Sequence, residues 1–137
     1  MFRRRPRRTP AACRRGVEAT ELALTLPVVV VLVFGALEVC EVVFLKQSLT
    51  VTTYEGSRLA ARRWTTTADV TSLCDAILEG RRVTNATVTV TPAEIELLPR
   101  GTPITVTVRA PFSSNSSTRL VLNSIGDVVQ SNTMLRE

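Results

Sequence analysis

The strongest pattern in the chain is a run of sixteen residues without a charge, Leu22 to Leu37, bounded by Glu21 and Glu38. At about 1.5 Å rise per residue a helix over that run spans about 24 Å, and the apolar positions continuing to Leu45 extend it to the roughly 30 Å of a bilayer core. The run predicts one transmembrane helix over 17–45. Pro27 lies inside it and can bend it, because a proline has no N–H to give the preceding turn. Helical spacing continues through Leu45, Leu49, Thr52, Gly56 and Leu59, which predicts a stalk over 46–64 with a narrow apolar face. Glu55 and Arg58, at i and i+3, can pair on its flank.

The pattern then changes. Thr66-Thr67-Ala68-Asp69 has the form of a capping box, and Val70, Leu73, Cys74, Ile77 and Leu78 fall on one face before Gly80, so a second, short helix is expected. Two stretches alternate apolar and hydroxyl residues strictly, Ala86–Thr91 and Ile104–Arg109. Each predicts a strand with one buried and one wet face. Pro99 to Pro103 is a connecting turn, Val128 to Leu135 a further strand, and Ser113–Ser117 a flexible loop. The fold class is α+β: a long N-terminal transmembrane and stalk helix, a short helix, and a small antiparallel β-sheet in the extracytoplasmic portion, 65–137.

Charge adds an orientation. The 137 residues carry a net +5, yet seven of the basic residues are Arg3, Arg4, Arg5, Arg7, Arg8, Arg14 and Arg15. Segment 1–16 reads as a basic leader too poor in apolar surface to order itself. Arginine-rich segments stay on the cytoplasmic side, so the C-terminal portion is expected outside the cytoplasm. A cleaved secretory signal would need small residues at a cutting site after the apolar run. Phe34 to Glu41 offers none, and a retained anchor is expected.

Composition narrows the chemistry. There is no histidine, which removes Ser-His and Cys-His nucleophile pairs and the commonest metal ligand. Cys13, Cys40 and Cys74 are far apart and form no CxxC, so no metal site is indicated. Cys40 and Cys74 could bridge only if the second helix folds back to the membrane surface, and intermolecular pairing or free thiols are equally open. Asp75 and Glu79, one turn apart, read as a solvated helix face rather than an acid-base pair. Aromatic residues make up 4% of the chain, too few for stacking platforms for single-stranded nucleic acid. The chain is therefore expected to be no enzyme, to need no cofactor, and to bind neither nucleic acid nor a small-molecule substrate.

Arg14-Arg15-Gly16, then Val17-Glu18-Ala19-Thr20-Glu21, then the apolar helix, resembles the processing site of type IV prepilins. The resemblance implies cleavage between Gly16 and Val17 by a prepilin peptidase, leaving Glu21 as the fifth residue of the mature chain. Glu21 could then pair with the freed α-amino group of a neighbouring subunit. Alternatively it marks the membrane surface and favours the helix N-terminus through the dipole.

Three blocks narrow the likeness further. Gly16 to Pro27, the Gly35-to-Glu38 block, and Tyr54-Glu55-Gly56-Ser57-Arg58 resemble the corresponding motifs of TadE-like proteins, pseudopilins of the Tad (tight adherence) pilus system. Tyr54 stands where that family often has arginine. The resemblance implies a type IV pilin-like fold and a structural role in pilus assembly, secretion and adherence, from the bacterial inner membrane. Partners would be the peptidase, other pilin-like subunits and the assembly apparatus. Glu21, Pro27, Glu38, Glu55, Gly56 and Arg58 would then serve helix packing and assembly. An unprocessed, membrane-anchored extracytoplasmic binding module is the alternative.

Overall fold

A computed structural model describes residues 10–117, 122 and 125–137, with side chains from 16 onward. Helix α1 runs unbroken from Pro10 to Ala60, and α2 spans Thr67–Gly80. Strands β1 (Thr87–Thr91), β2 (Pro103–Pro111) and β3 (Asp127–Leu135) form one antiparallel sheet in the order β1-β2-β3, with the short helix α3 (Phe112–Asn115) after β2. The fold is α+β. Residues 1–9 of the expected leader lie outside the described residues.

Alternation in the strands sets which face of the sheet is dry. Ile104, Val106, Val108 and Ala110 of the central strand β2 are fully buried, while Thr105, Thr107 and Arg109 face outward. Pairing places Val90 opposite Val106 and Val88 opposite Val108, so β1 continues the apolar face. On the wet face Thr105 and Thr133 share a hydrogen bond of 2.8 Å, and Arg109 pairs with Asp127 at 2.7 Å. Such exposed pairs contribute on the order of 0.2–1 kcal/mol each.

The dry face is covered by two helices. The C-terminal half of α1 lies against β2 and β3, and α2 packs beside it toward β1. Leu45 and Leu49 of α1 and Val70, Cys74 and Leu78 of α2 join the β2 side chains in one core. The expected α1 face proves wider than its apolar residues, since Ser48, Thr52, Thr53 and Ser57 are buried with them. Their hydroxyls satisfy themselves locally: Ser48 donates to the Phe44 carbonyl at 2.9 Å, Thr52 to Ser48 at 2.9 Å and Ser57 to Tyr54 at 3.0 Å. A hydroxyl bonded back to its own helix can be buried at little cost.

The capping box at α2 is formed. Asp69 N–H donates to Thr66 Oγ1 at 3.1 Å, and Thr66 N–H donates to the Asp69 carboxylate at 3.0 Å. The Thr66 N–H bond first, and then a bond from the Thr66 hydroxyl at 2.8 Å, hold the Asp69 carboxyl below its usual range. The turn after Pro99 closes on Gly101, whose φ of 81° suits a residue without a Cβ.

Ser113–Ser117 departs from the flexible loop expected of its composition. Phe112 is buried and roots α3, and Asn115 donates to the carbonyls of Pro111 at 2.8 Å and Thr84 at 3.0 Å. The serine-rich stretch is thereby pinned to the chain that precedes β1.

Candidate functional site

The candidate site is α1 itself, which lies in two kinds of surroundings. From Gly16 it is long and apolar enough to cross a membrane, and its most apolar window is only 11% buried within the protein. Leu22, Leu24, Leu26, Val28, Val29, Val30, Val31, Leu32, Val33 and Leu37 are all exposed. At roughly 1.5–3 kcal/mol for each large apolar side chain fully buried, these ten residues, a little over half exposed on average, represent about 9–17 kcal/mol of missing burial. That matches or exceeds the net stability of many folded domains. The helix suits a membrane anchor and does not suit the core of a soluble domain.

At Glu38 the surroundings change. Glu38 is fully buried, and its carboxylate accepts the Leu122 N–H at 2.6 Å. One turn on, Glu41 accepts from the Ser116 hydroxyl at 2.6 Å and the Ser117 N–H at 3.2 Å. Two carboxylates of α1 thus hold the segment after α3 to the helix where the lipid-length run ends. Backbone N–H groups are strong partners for a buried carboxylate, which would otherwise bear a large desolvation cost. Sequence reasoning singled out Glu38 and missed Glu41. Their i,i+3 spacing at the end of an apolar run was the available signal.

Gly56 marks the tightest contact of the stalk. A Cβ built there would lie 2.6 Å from Cys74 Sγ and 3.3 Å from Val106 Cγ1. Gly56 thus packs closely against α2 and β2 of its own chain. Beside it, Asn132 of β3 donates to the Ser57 hydroxyl at 2.6 Å. Glu55 and Arg58 lie on the flank and pair at 3.5 Å, an exposed contact of about 0.2–0.5 kcal/mol.

The remaining expected residues lie along the exposed part of α1. Gly16 and Val17 are helical and exposed, so the backbone at the expected cut is not extended. Glu21 is exposed and makes no ion pair among the described residues. Pro27 sits inside the helix without ending it. Thr25 donates to the carbonyls of Glu21 at 3.1 Å and Leu22 at 3.2 Å.

The cysteines separate by surroundings. Cys40 is exposed and Cys74 buried, and both are free thiols. Burial, with a smaller push from the Asp75 charge, raises Cys74 to about 11. Its thiol lies 3.8 Å from the Thr52 carbonyl oxygen, to which it donates. A buried thiol that stays protonated is inert.

Comparison with protein families bears on this same helix. Residues 16–58 match the family model of the TadE-like proteins. The TadE-like match begins at the glycine of the expected cut and covers the anchor run, Glu38, Gly56 and the Glu55–Arg58 pair. It stops before α2 and the sheet. Neither the curated proteins nor the solved structures give a match.

Proposed function

We propose that this chain is a structural, pilin-like component of a Tad-type pilus system. It would be anchored in the bacterial inner membrane with its N-terminus cytoplasmic and its α+β portion outside. The observation that carries the reading is the coincidence of the TadE-like segment with the exposed apolar helix. In this reading a prepilin peptidase removes the leader after Gly16. The freed α-amino group of Val17 then meets Glu21 of a neighbouring subunit, giving a partner to a carboxylate at the edge of hydrocarbon.

The cut takes away seven arginines and leaves a chain with two more acidic than basic side chains. Loss of a positive cluster weakens the hold of the inner leaflet on the N-terminus and frees the helix to leave the bilayer. Function on this view is mechanical. The chain supplies a helix for lateral packing and a folded head, and no reacting group.

Mass spectrometry of the membrane-extracted protein tests the proposal. A mature chain beginning at Val17 is expected, together with accumulation of the uncut form when Gly16 is replaced by a bulkier residue. A native chain that retains Met1 to Gly16 refutes it. That result belongs to the second reading, an unprocessed anchored binding module, which the helical backbone at Gly16 favours.

A further inference from the structure

At the far end of α1 from the anchor run, a cleft of about 230 Å³ opens among Arg63, Trp64, Leu98, Arg100 and Arg136. We propose that this cleft receives an acidic side chain of a protein partner, gripped by the Arg136 guanidinium. The proposal is independent of leader processing and of assembly into a fibre.

Arg136 carries it. The residue is only 7% exposed, yet among the described residues its guanidinium makes a single hydrogen bond, from Nη1 to the Ala60 carbonyl oxygen at 3.3 Å. A guanidinium has five N–H donors in a fixed planar fork, and a buried charge is costly unless it is paired. The backbone holds the residue firmly in place: its N–H donates to Thr102 at 2.9 Å, and its carbonyl accepts from Gly101 at 2.8 Å. The main chain at Arg136 is therefore fixed, and among the described residues the other guanidinium donors have no protein acceptor.

Two carboxylates line the same cleft without pairing to it. Glu96 is engaged elsewhere, accepting the Thr67 N–H at 3.1 Å at the start of α2, and Glu137 forms no ion pair among the described residues. Three arginine and two glutamate side chains line the cleft. A carboxylate matches the Arg136 fork in two parallel bonds.

Size and rim decide the kind of ligand. Pockets for small molecules run from about 300 to 1,000 Å³, and 230 Å³ falls below that range. At the rim Trp64 is 89% exposed, with the Arg63 guanidinium over its ring at 5.6 Å. Leu97, between two lining residues in the chain, is 86% exposed. Tryptophan and arginine dominate the energetic centres of protein interfaces, and large exposed apolar residues around a charged slot suit a protein surface rather than a free anion.

Trp64 is the chain's one tryptophan, so its fluorescence reads the cleft directly. The full chain in detergent micelles is titrated at constant ionic strength with four probes. These are an acetyl-Leu-Glu-Leu-amide peptide, its glutamine counterpart, sodium acetate and inorganic phosphate. A saturable change with the glutamate peptide alone is expected, weakened at least tenfold by R136K and severalfold by R100Q. Circular dichroism shows whether each variant is folded, and R63Q with R100Q carries the comparison if R136K is not. No saturable change, or equal binding of the two peptides, overturns the proposal. So does unaltered affinity in the folded arginine variants. An equal response to acetate or phosphate overturns the protein partner in favour of a free anion.

Discussion

Replacement of Gly56 by alanine tests the packing of the stalk most directly. The added methyl would sit 2.6 Å from Cys74 Sγ and 3.3 Å from Val106 Cγ1, the first roughly an ångström short of ordinary contact. Both neighbours are fully buried, and Cys74 is in the middle of α2. Overpacking of this kind costs about 1–3 kcal/mol, and alanine returns about 1 kcal/mol through its better helix propensity. The net expectation is destabilisation of up to about 2 kcal/mol. Cys74→Ala alone removes a buried sulfur and costs about 1 kcal/mol. In Gly56→Ala/Cys74→Ala the new methyl occupies the space the sulfur leaves, so the two changes should compensate by about 1–3 kcal/mol. Urea unfolding of the four full-length proteins in micelles, followed by far-ultraviolet circular dichroism, measures that coupling. Additive effects, or a Gly56→Ala protein more stable than the parent, refute the close approach of α1 to α2.

Five further outcomes follow from the geometry. Glu38→Ala deprives the Leu122 N–H of its acceptor at 2.6 Å, so hydrogen exchange at Leu122 should accelerate as the segment after α3 loosens by about 1–3 kcal/mol, whereas Glu38→Gln keeps an acceptor and slows that loss. At pH 8 a maleimide should modify Cys40 rapidly and spare Cys74. Because folding holds Cys74 protonated up to about 11 against an ordinary 9.0, its contribution is intact below 9 and is lost as pH rises toward 11, so a Cys74→Ala protein should show a weaker fall in urea midpoint over that window. Thr66→Val removes the cap hydroxyl of α2 and should cost about 1 kcal/mol in the same unfolding assay. The lowered Asp69 carboxyl gives that cap an acid dependence: its contribution is present above the ordinary carboxyl range and is lost as pH falls through the lowered value, a loss that Asp69→Asn should abolish.

Much of the fold is legible because local chemistry and burial agree. The capping box at Thr66 and Asp69 names the start of α2, and strict alternation in Ile104 to Arg109 predicts which side chains of β2 enter the core. The Pro99-to-Pro103 turn is read from residues whose backbone preferences leave few other conformations. What was hidden depends on contacts between distant residues. Serine-rich composition at 113–117 points to a loose loop, and only the burial of Phe112 and the bonds from Asn115 to Thr84 make it a helical turn. Ile95 lies in a stretch with no periodicity, yet it is fully buried. Nothing local signals the burial of Arg136, which rests on the Ala60 carbonyl and the turn at Gly101.

The division along α1 limits where neighbouring subunits could touch. Before Glu38 the helix has eleven large apolar side chains exposed and free for lipid or for other helices. After Glu38 one face is taken up by the chain itself: Leu45, Leu49, Thr52 and Gly56 face its own sheet and α2, and Glu38 holds the segment after α3. Glu38 and Gly56 are thus engaged within the chain, where the head packs on its stalk. The surface left for a neighbour is the opposite face, where Val39, Val43, Phe44, Val51 and Tyr54 are exposed beside the Glu55–Arg58 pair. That face is continuous on one helix with the lipid-length run. If copies of the chain pack laterally as proposed, rotation about α1 would govern their contact, and Glu38 and Glu41, which hold the segment after α3, would tie the head to that rotation.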